Sequence, residues 1–351
     1  MPLHWPWSRP TQRTTDCLVF SLGPDRLDWV TGQADGTHAR LTGHGQLPRD
    51  PHRQADWLRS LRQIGRKGCD TAAVLAPESY QMLQIEAPAV PSDEMRAAAR
   101  WRIKDLIDSH IDDITLDVLR LGLPASQVQG QPQMFVVTST NADVAASSSV
   151  ADDAGWRLTT IDVADLALRN LQAAAAAAMD LEERATACLS QHGNTGLLTI
   201  CVGGELFYSR RLDWDASLAE RAAQAAARAP SPTSHDEGIE APGYSLLGTE
   251  LTGFATELGG DSPPRMVIEL QRSFDVWERS WPDLPLALLM LHPDTALAQA
   301  SVAGYLQDAL GLRVVPLNLA AELDGLDDQA DTPRPAPALL GTLLRMTGVR
   351  A

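Results

Sequence analysis

The sequence predicts an α/β protein built from two related lobes that face a cleft. Two observations carry this. An apolar strand, a turn and a return strand open the chain near residue 17, and the same pattern recurs near residue 187. Each start runs on into interleaved strand and helix patterns, the arrangement of a layered α/β architecture. The scale agrees: 351 residues with 44% hydrophobic content supply two domains with sizeable cores.

Cys17–Leu22 (CLVFSL) predicts a buried strand, and Leu27–Gly32 its return after the turn GPD. Over 54–64, Trp57, Leu58, Leu61 and Ile64 fall on one helical face, and 71–76 is a short apolar strand. A strand–helix–strand–strand unit follows at 80–86, 92–107, 114–121 and 134–138. A helix over 141–154 and a strand over 157–162 come next. Residues 164–179 contain six consecutive alanines, Ala173 to Ala178. Ala is the best helix former, so this is a helix, and its small side chains place it at a crowded interface.

In the second half, strands at 187–190 and 197–202 flank the turn of LSQHGNTG. Gly203-Gly204 then marks a hairpin into a strand at 206–211. Residues 214–229 form an Ala-rich helix. Residues 230–264, rich in Pro, Ser, Gly and acid, read as a long loop or reduced subdomain. Helices at 265–280 and 296–310, strands at 286–291 and 314–319, an acidic Pro-rich loop at 324–337 and a closing helix at 338–346 complete the chain.

Composition excludes several classes. The formal net charge is -16, from 29 basic and 45 acidic residues, which argues against general nucleic-acid binding. Cys17, Cys69, Cys188 and Cys201 form no CxxC pair and have no His at metal spacing; they read as reduced thiols of a cytoplasmic protein. No segment reaches the ~18 apolar residues of a membrane span. Residues 1–14, with Trp5 and Trp7, read as a flexible tail without a signal-peptide core. There is no GxSxG, HExxH, P-loop or Rossmann fingerprint.

The stretch YQMLQIEAPAVPSDEMRAAARWRIKDLID, Tyr80 to Asp108, with DITLDVL and IDVADLALRNL, resembles the MshI branch of the PilM-like family of type IV pilus assembly proteins. The resemblance spans residues 15–225 and 265–350 and is strongest at WRIKDLID. It implies the actin-like ATPase fold: two related RNase H-like lobes around a cleft, with the strand–helix–strand–strand unit inserted into the first. The implied boundaries are a first lobe at 15–78 and 156–185, an inserted subdomain at 79–155, and a second lobe at 186–229 and 265–351. It also implies a scaffold at the cytoplasmic face of the bacterial inner membrane. Such a scaffold is held there by partners rather than by insertion, and it binds the short cytoplasmic N-terminus of a PilN-like membrane protein and works alongside other pilus platform proteins.

Members of that fold carry an Asp-x-Gly turn in each lobe, with carboxylates for Mg²⁺ and backbone N–H groups for phosphates. In FSLGPD, Ser21 stands at the acid position; Gly23 is kept, and Pro24 removes a donor. In LSQHGNTG, Ser190 stands at the acid position, His192 at the glycine position, and Gly193 comes one residue late. Gly193, Asn194 and Thr195 form a turn able to aim N–H groups at an anion. Of the family's adenine-contacting glycine turn only Gly341 remains, within Leu340-Gly341-Thr342. Mg²⁺ prefers hard oxygen ligands and usually takes one or two carboxylates, and both acids are missing. The expectation is a pseudo-ATPase with no catalytic residue, no metal site and no required cofactor, ATP binding without turnover staying open. The alternatives are an active ATPase of the same platform, and a GspL-like type II secretion domain; the latter continues into a membrane helix and periplasmic domain that this sequence does not show.

In the helix expected at 92–107, Ser92 is a candidate N-cap, and Asp93 and Glu94 complement the dipole. Met95, Ala99, Ile103, Leu106 and Ile107 form one stripe, with Trp101 on the opposite side. Two readings stay open. Either Trp101 is buried against the first lobe, or Trp101, Arg102, Lys104 and Asp105 line a partner-binding surface.

Overall fold

The two hairpins each open a five-stranded sheet, and the two sheets have one topology. The computed structural model describes residues 16–35, 38–121, 132–228, 263–294, 299–319, 323, 325 and 335–348. The first sheet comprises β1 (Asp16–Leu22), β2 (Arg26–Asp35), β3 (His38–Pro48), β4 (Asp70–Leu75) and β8 (Arg157–Val163), in the order β3-β2-β1-β4-β8. The second comprises β9 (Ala185–His192), β10 (Thr195–Val202), β11 (Glu205–Asp213), β12 (Leu286–His292) and β13 (Val314–Pro316), in the order β11-β10-β9-β12-β13. In each, three strands meander antiparallel, and the first then pairs parallel with a later strand. Gly203 and Gly204, with φ of 59° and 75°, close β10 onto β11, a turn that needs left-handed backbone at both positions.

The third strand of the first meander, β3, lacks a clear apolar pattern. Ala39 and Leu41 are buried, but Gly43 and Gly45 stand where further side chains would fall. The Trp29 ring covers both: a Cβ on Gly45 would lie 3.0 Å from it. The alternation that marks a strand is thus supplied by the neighbouring strand's indole.

Each sheet packs one face on outer helices. In the first lobe α1 (Gln54–Ile64) buries Trp57 and Leu61 against Leu18, Phe20 and Ala73. α3 (Asn141–Ala154) adds Val150, Ala151 and Ala154 to the same core. The expected boundary at residue 155 counted α3 with the insert, whereas its packing makes it a first-lobe element. In the second lobe α5 (Leu218–Arg228), α6 (Arg265–Ser280) and α7 (Gln299–Leu310) cover the sheet, with Trp277 buried beside Phe207.

The inner faces share one core. α4 (Ala164–Ala177), which follows the first sheet, lies on β9, β10 and β11. α8 (Pro337–Thr347), which follows the second, lies on β1, β2 and β4. The two helices cross with almost no space between them. A Cβ on Gly341 would stand 1.9 Å from the carbonyl oxygen of Ala167, and Asn170 Nδ2 donates to the Gly341 carbonyl at 3.0 Å. The Ala-rich helix therefore lies at a close-packed interface, as its composition requires.

The inserted unit is a three-stranded antiparallel sheet, β5 (Tyr80–Glu86), β6 (Ile114–Arg120) and β7 (Gln133–Thr140), in the order β5-β7-β6, with α2 (Met95–Ile103) on one face. Its helix is shorter than the 92–107 expected. Residues 92–94 form a turn closed by Glu94 N–H on the Pro91 carbonyl at 3.1 Å, so Ser92 caps nothing. The far end closes through Leu106 N–H on Ile103 O at 2.8 Å. Leu106 leaves the apolar stripe and is exposed, while Met95, Ala99 and Ile103 are buried. The expectations for 1–14, for 230–262 and for most of 324–337 lie outside the described residues.

Substituting Gly341 by Ala should destabilise the protein by about 3 kcal/mol or more, because backbone on both sides leaves the new methyl nowhere to go. Urea unfolding of the variant against the parent chain measures it; a change within about 0.5 kcal/mol, the range of a neutral surface site, would mean the helices do not cross this closely.

Candidate functional site

Between the sheets lies a cavity of about 60 Å³, lined by Ser21, Asp28, Ser190, His192, Thr195 and Arg211 among its polar residues. Ala336 to Leu339, at the start of α8, form much of its apolar wall. Ser21 comes from β1 and Ser190 from β9, so the structure does bring the two acid-position serines to one place.

The expected phosphate donors are committed elsewhere. Gly23 N–H donates to the Arg26 carbonyl at 2.8 Å, closing its own turn. Gly193, with φ of 57°, begins the tight turn between β9 and β10 together with Asn194. Its N–H donates to Asp294 Oδ2 at 2.9 Å. Asp294 N–H donates to Gln191 Oε1 at 3.1 Å, and Gln191 Nε2 to the Gly193 carbonyl at 2.9 Å, which closes a ring of three bonds. The Asn194 carbonyl accepts from Trp214 N–H at 2.8 Å, and Thr195 pairs with His192 and lines the cavity. Gly341 is not in a turn. It sits inside α8 against Ala167, and its lack of a side chain serves the helix crossing.

One carboxylate was overlooked in the sequence. The β1–β2 register pairs Ser21 with Asp28. Asp28 Oδ2 is 3.2 Å from Arg26 Nε, whereas Oδ1 is enclosed with no hydrogen-bond partner. Counting outwards from the GPD turn places Asp28 opposite Ser21, so the signal was present. Asp25 is nearer in sequence, but it lies in the exposed turn.

ATP with Mg²⁺ does not fit these residues as arranged. Ligand pockets of that class run to ~300–1,000 Å³, against about 60 Å³ here. Asp28 is the single carboxylate among the lining residues, and both turn N–H groups already have acceptors.

At the cavity's edge stands a polar cluster around two buried side chains, Asp165 and Tyr80. Asp165, in the first turn of α4, is 2% exposed. It accepts from the Tyr80 hydroxyl at the start of β5 and from the Ser209 hydroxyl on β11. Arg211, also on β11, donates to the Tyr80 carbonyl at 3.1 Å and lies 4.5 Å over the Tyr80 ring. Burial, and behind it the negative charge of Asp165, push the Tyr80 phenol well above its ordinary value, so it remains a donor.

The second candidate surface is α2. Trp101 is 76% exposed, which overturns its burial against the first lobe. The layering explains it. The inserted sheet turns one face to α2 through Met134 and Val136. Its other face meets the second lobe, where Phe135 packs with Cys201 and Leu206. α2 is therefore the outermost layer. Arg102 reaches Glu86 at 3.6 Å, and Lys104 and Asp105 are exposed beside Trp101. Arg96 and Arg100 pair with Asp117 and Asp112 at 2.9 and 3.4 Å.

No protein-family model matches the sequence, and no curated protein does. Among solved structures, the chain is similar to a PilM-PilN type IV pilus biogenesis complex, with a TM-score of 0.65 and 18% identity over 97% of this chain and 100% of that one. It is also similar to a Bacteroides thetaiotaomicron protein with actin-like ATPase fold and unknown function (TM-score 0.46, 7% identity, 87% and 91% covered). A third is the cytoplasmic domain of EpsL, an inner-membrane component of the Vibrio cholerae type II secretion system (TM-score 0.42, 14% identity, 67% and 87% covered). The chain has the actin-like ATPase fold, with the strand–helix–strand–strand insert in its first lobe.

Because Trp101 makes no core contact, Trp101→Ala should leave unfolding free energy within about 0.5 kcal/mol of the parent. A loss of several kcal/mol in urea titration would show that the indole is covered after all.

Proposed function

We propose that this chain is a scaffold of a type IV pilus assembly platform, of the MSHA-like kind. It binds the cytoplasmic N-terminal segment of a PilN-like inner-membrane protein through the outer face of α2 and does not hydrolyse ATP. The observation that carries the proposal is the exposed Trp101, beside Arg102 on α2 and Lys104 and Asp105 in the turn that ends it, on a helix whose other face is fully used. Aromatic anchors beside charge are the common hot spots of protein interfaces. The Tyr80–Asp108 resemblance supports the family, and the similarity to the PilM-PilN complex supports the kind of partner. Among the described residues no helix is long and apolar enough to cross a membrane. The proposed place is the cytoplasmic face of the inner membrane, reached through that partner and shared with the other platform proteins.

An active ATPase of the same platform has one observation in its favour, the Asp28 carboxylate in the cleft. Against it stand Ser21 and Ser190 at the acid positions and turn N–H groups already bound within the chain.

Calorimetric titration of the full chain with the N-terminal peptide of the matching PilN-like protein tests the reading. Binding at micromolar concentration is expected, weakened by about tenfold or more in Trp101→Ala, the loss of a hot-spot aromatic. No binding by the parent chain sinks the proposal; equal binding by the variant moves the site off α2.

A further inference from the structure

Three groups in and around the cleft would suit an anionic ligand bridging two lobes: the guanidinium of Arg211, which lines the cavity, and the turn N–H groups of Gly23 and Gly193, which follow the lining residues Ser21 and His192 in the chain. All three are engaged by the protein itself. Gly193 N–H is bound by Asp294 and Gly23 N–H by Arg26. Arg211, the single Lys or Arg among the lining residues, is spent on the carbonyl and ring of Tyr80. The bridging is done instead by Asp165, whose two oxygens each take a hydroxyl donor from a different body.

We propose that the interlobe cleft is a self-closed joint pinned by Asp165, which seats the inserted subdomain against both lobes without a ligand. The geometry is a three-way junction. Asp165 belongs to α4, the helix that leaves the first sheet; Tyr80 is the first residue of the inserted sheet; Ser209 and Arg211 lie on β11 of the second sheet. Parting the lobes at this point must break Ser209–Asp165, and with it either Tyr80–Asp165 or Arg211–Tyr80, whichever lobe the insert follows. Loss of the Ser209 donor would leave the Asp165 carboxylate, 2% exposed, with unmet hydrogen-bonding capacity in a buried place, which is costly. The inserted sheet also packs Phe135 on Cys201 and Leu206 beside the joint, so it follows the second lobe as well as the first. The insert and the two lobes therefore move as one body. This inference stands on the joint's own contacts and is independent of the pilus reading.

Hydrogen exchange of the full chain, followed by mass spectrometry, tests it. Millimolar ATP with Mg²⁺ should leave exchange and melting temperature unchanged. Tyr80→Phe should raise exchange in both 80–86 and 205–213 by about tenfold or more, the response of one cooperative unit, while 26–48 stays at the parental rate. Ser209→Ala deletes a single hydroxyl and gives the same readout should Tyr80→Phe not fold. Two results would overturn the joint. One is protection of the cleft strands, or a raised melting temperature, with ATP and Mg²⁺. The other is faster exchange confined to the mutated strand, which would make the cluster a local contact.

Discussion

A side-chain-free position at Gly341 brings the backbone of α8 against the carbonyl of Ala167 in α4, and the rest of the molecule is arranged around that contact. The helix that leaves the first sheet packs on the second, and the helix that leaves the second packs on the first. Each lobe is thus completed by the other's chain. Leu339, Leu340, Leu343 and Leu344 from α8 and Leu171 from α4 fill a core that also takes Val19 and Val74 from one sheet and Cys188 and Met290 from the other. A side chain at position 341 would hold the helices apart and open this core to water, and Ala175 and Ala176 of the alanine run pack in the same core.

Two buried carboxylates sit at the entry to that crossing. Asp162, at the end of β8, accepts from Thr342 at 3.1 Å and lies 3.5 Å from Arg345, both on α8, and from the Val163 N–H at 3.0 Å. Asp165, three residues on, takes Tyr80 and Ser209. A buried carboxylate is costly unless its oxygens are satisfied, and removing one donor exposes the cost of the rest. The pair consequently fixes direction: Asp162 orients α8 on the first sheet, and Asp165 orients the insert and the second lobe. A few residues around the β8–α4 connection set the relative placement of every layer.

Much of this was legible in the sequence where local pattern and tertiary role coincide. The helix over 54–64 and the strand over 80–86 have apolar faces with a single period, and 141–154 begins at a threonine cap and ends at a glycine. The recurrence of the hairpin revealed two lobes because strand pairing is itself local. Illegible parts were those where a neighbour supplies the pattern. β3 has glycines because Trp29 of the next strand covers them. The family resemblance assigned Gly341 to a turn, although the local pattern put it in the closing helix; the cause of the glycine lies 174 positions earlier in Ala167. Trp101 was ambiguous because a helical wheel says which face is apolar, not how many layers lie beyond it. Of the cleft residues, Ser21 and Ser190 line one cavity, whereas Asp28 and Asp294 matter through pairing and a long-range bond.

The stacking order also decides what kind of surface α2 presents. The lobes cover one face of the inserted sheet and α2 covers the other, so nothing in the chain's described layers lies beyond Trp101. The surrounding ion pairs do not shield it. Arg102 and Glu86 are half and more than a third exposed, and pairs of that kind contribute about 0–1 kcal/mol and exchange readily with water or a partner's charges. The helix itself is held from below by Ile103 and Met95, and the sheet beneath it by the polar junction at Asp165. Association costs free energy for every group that must be ordered. An indole mounted on a helix, on a sheet, on two lobes that share a core has little of that cost left to meet. A rigid mount of this depth suits the proposed scaffold role, in which the partner meets a surface already in place.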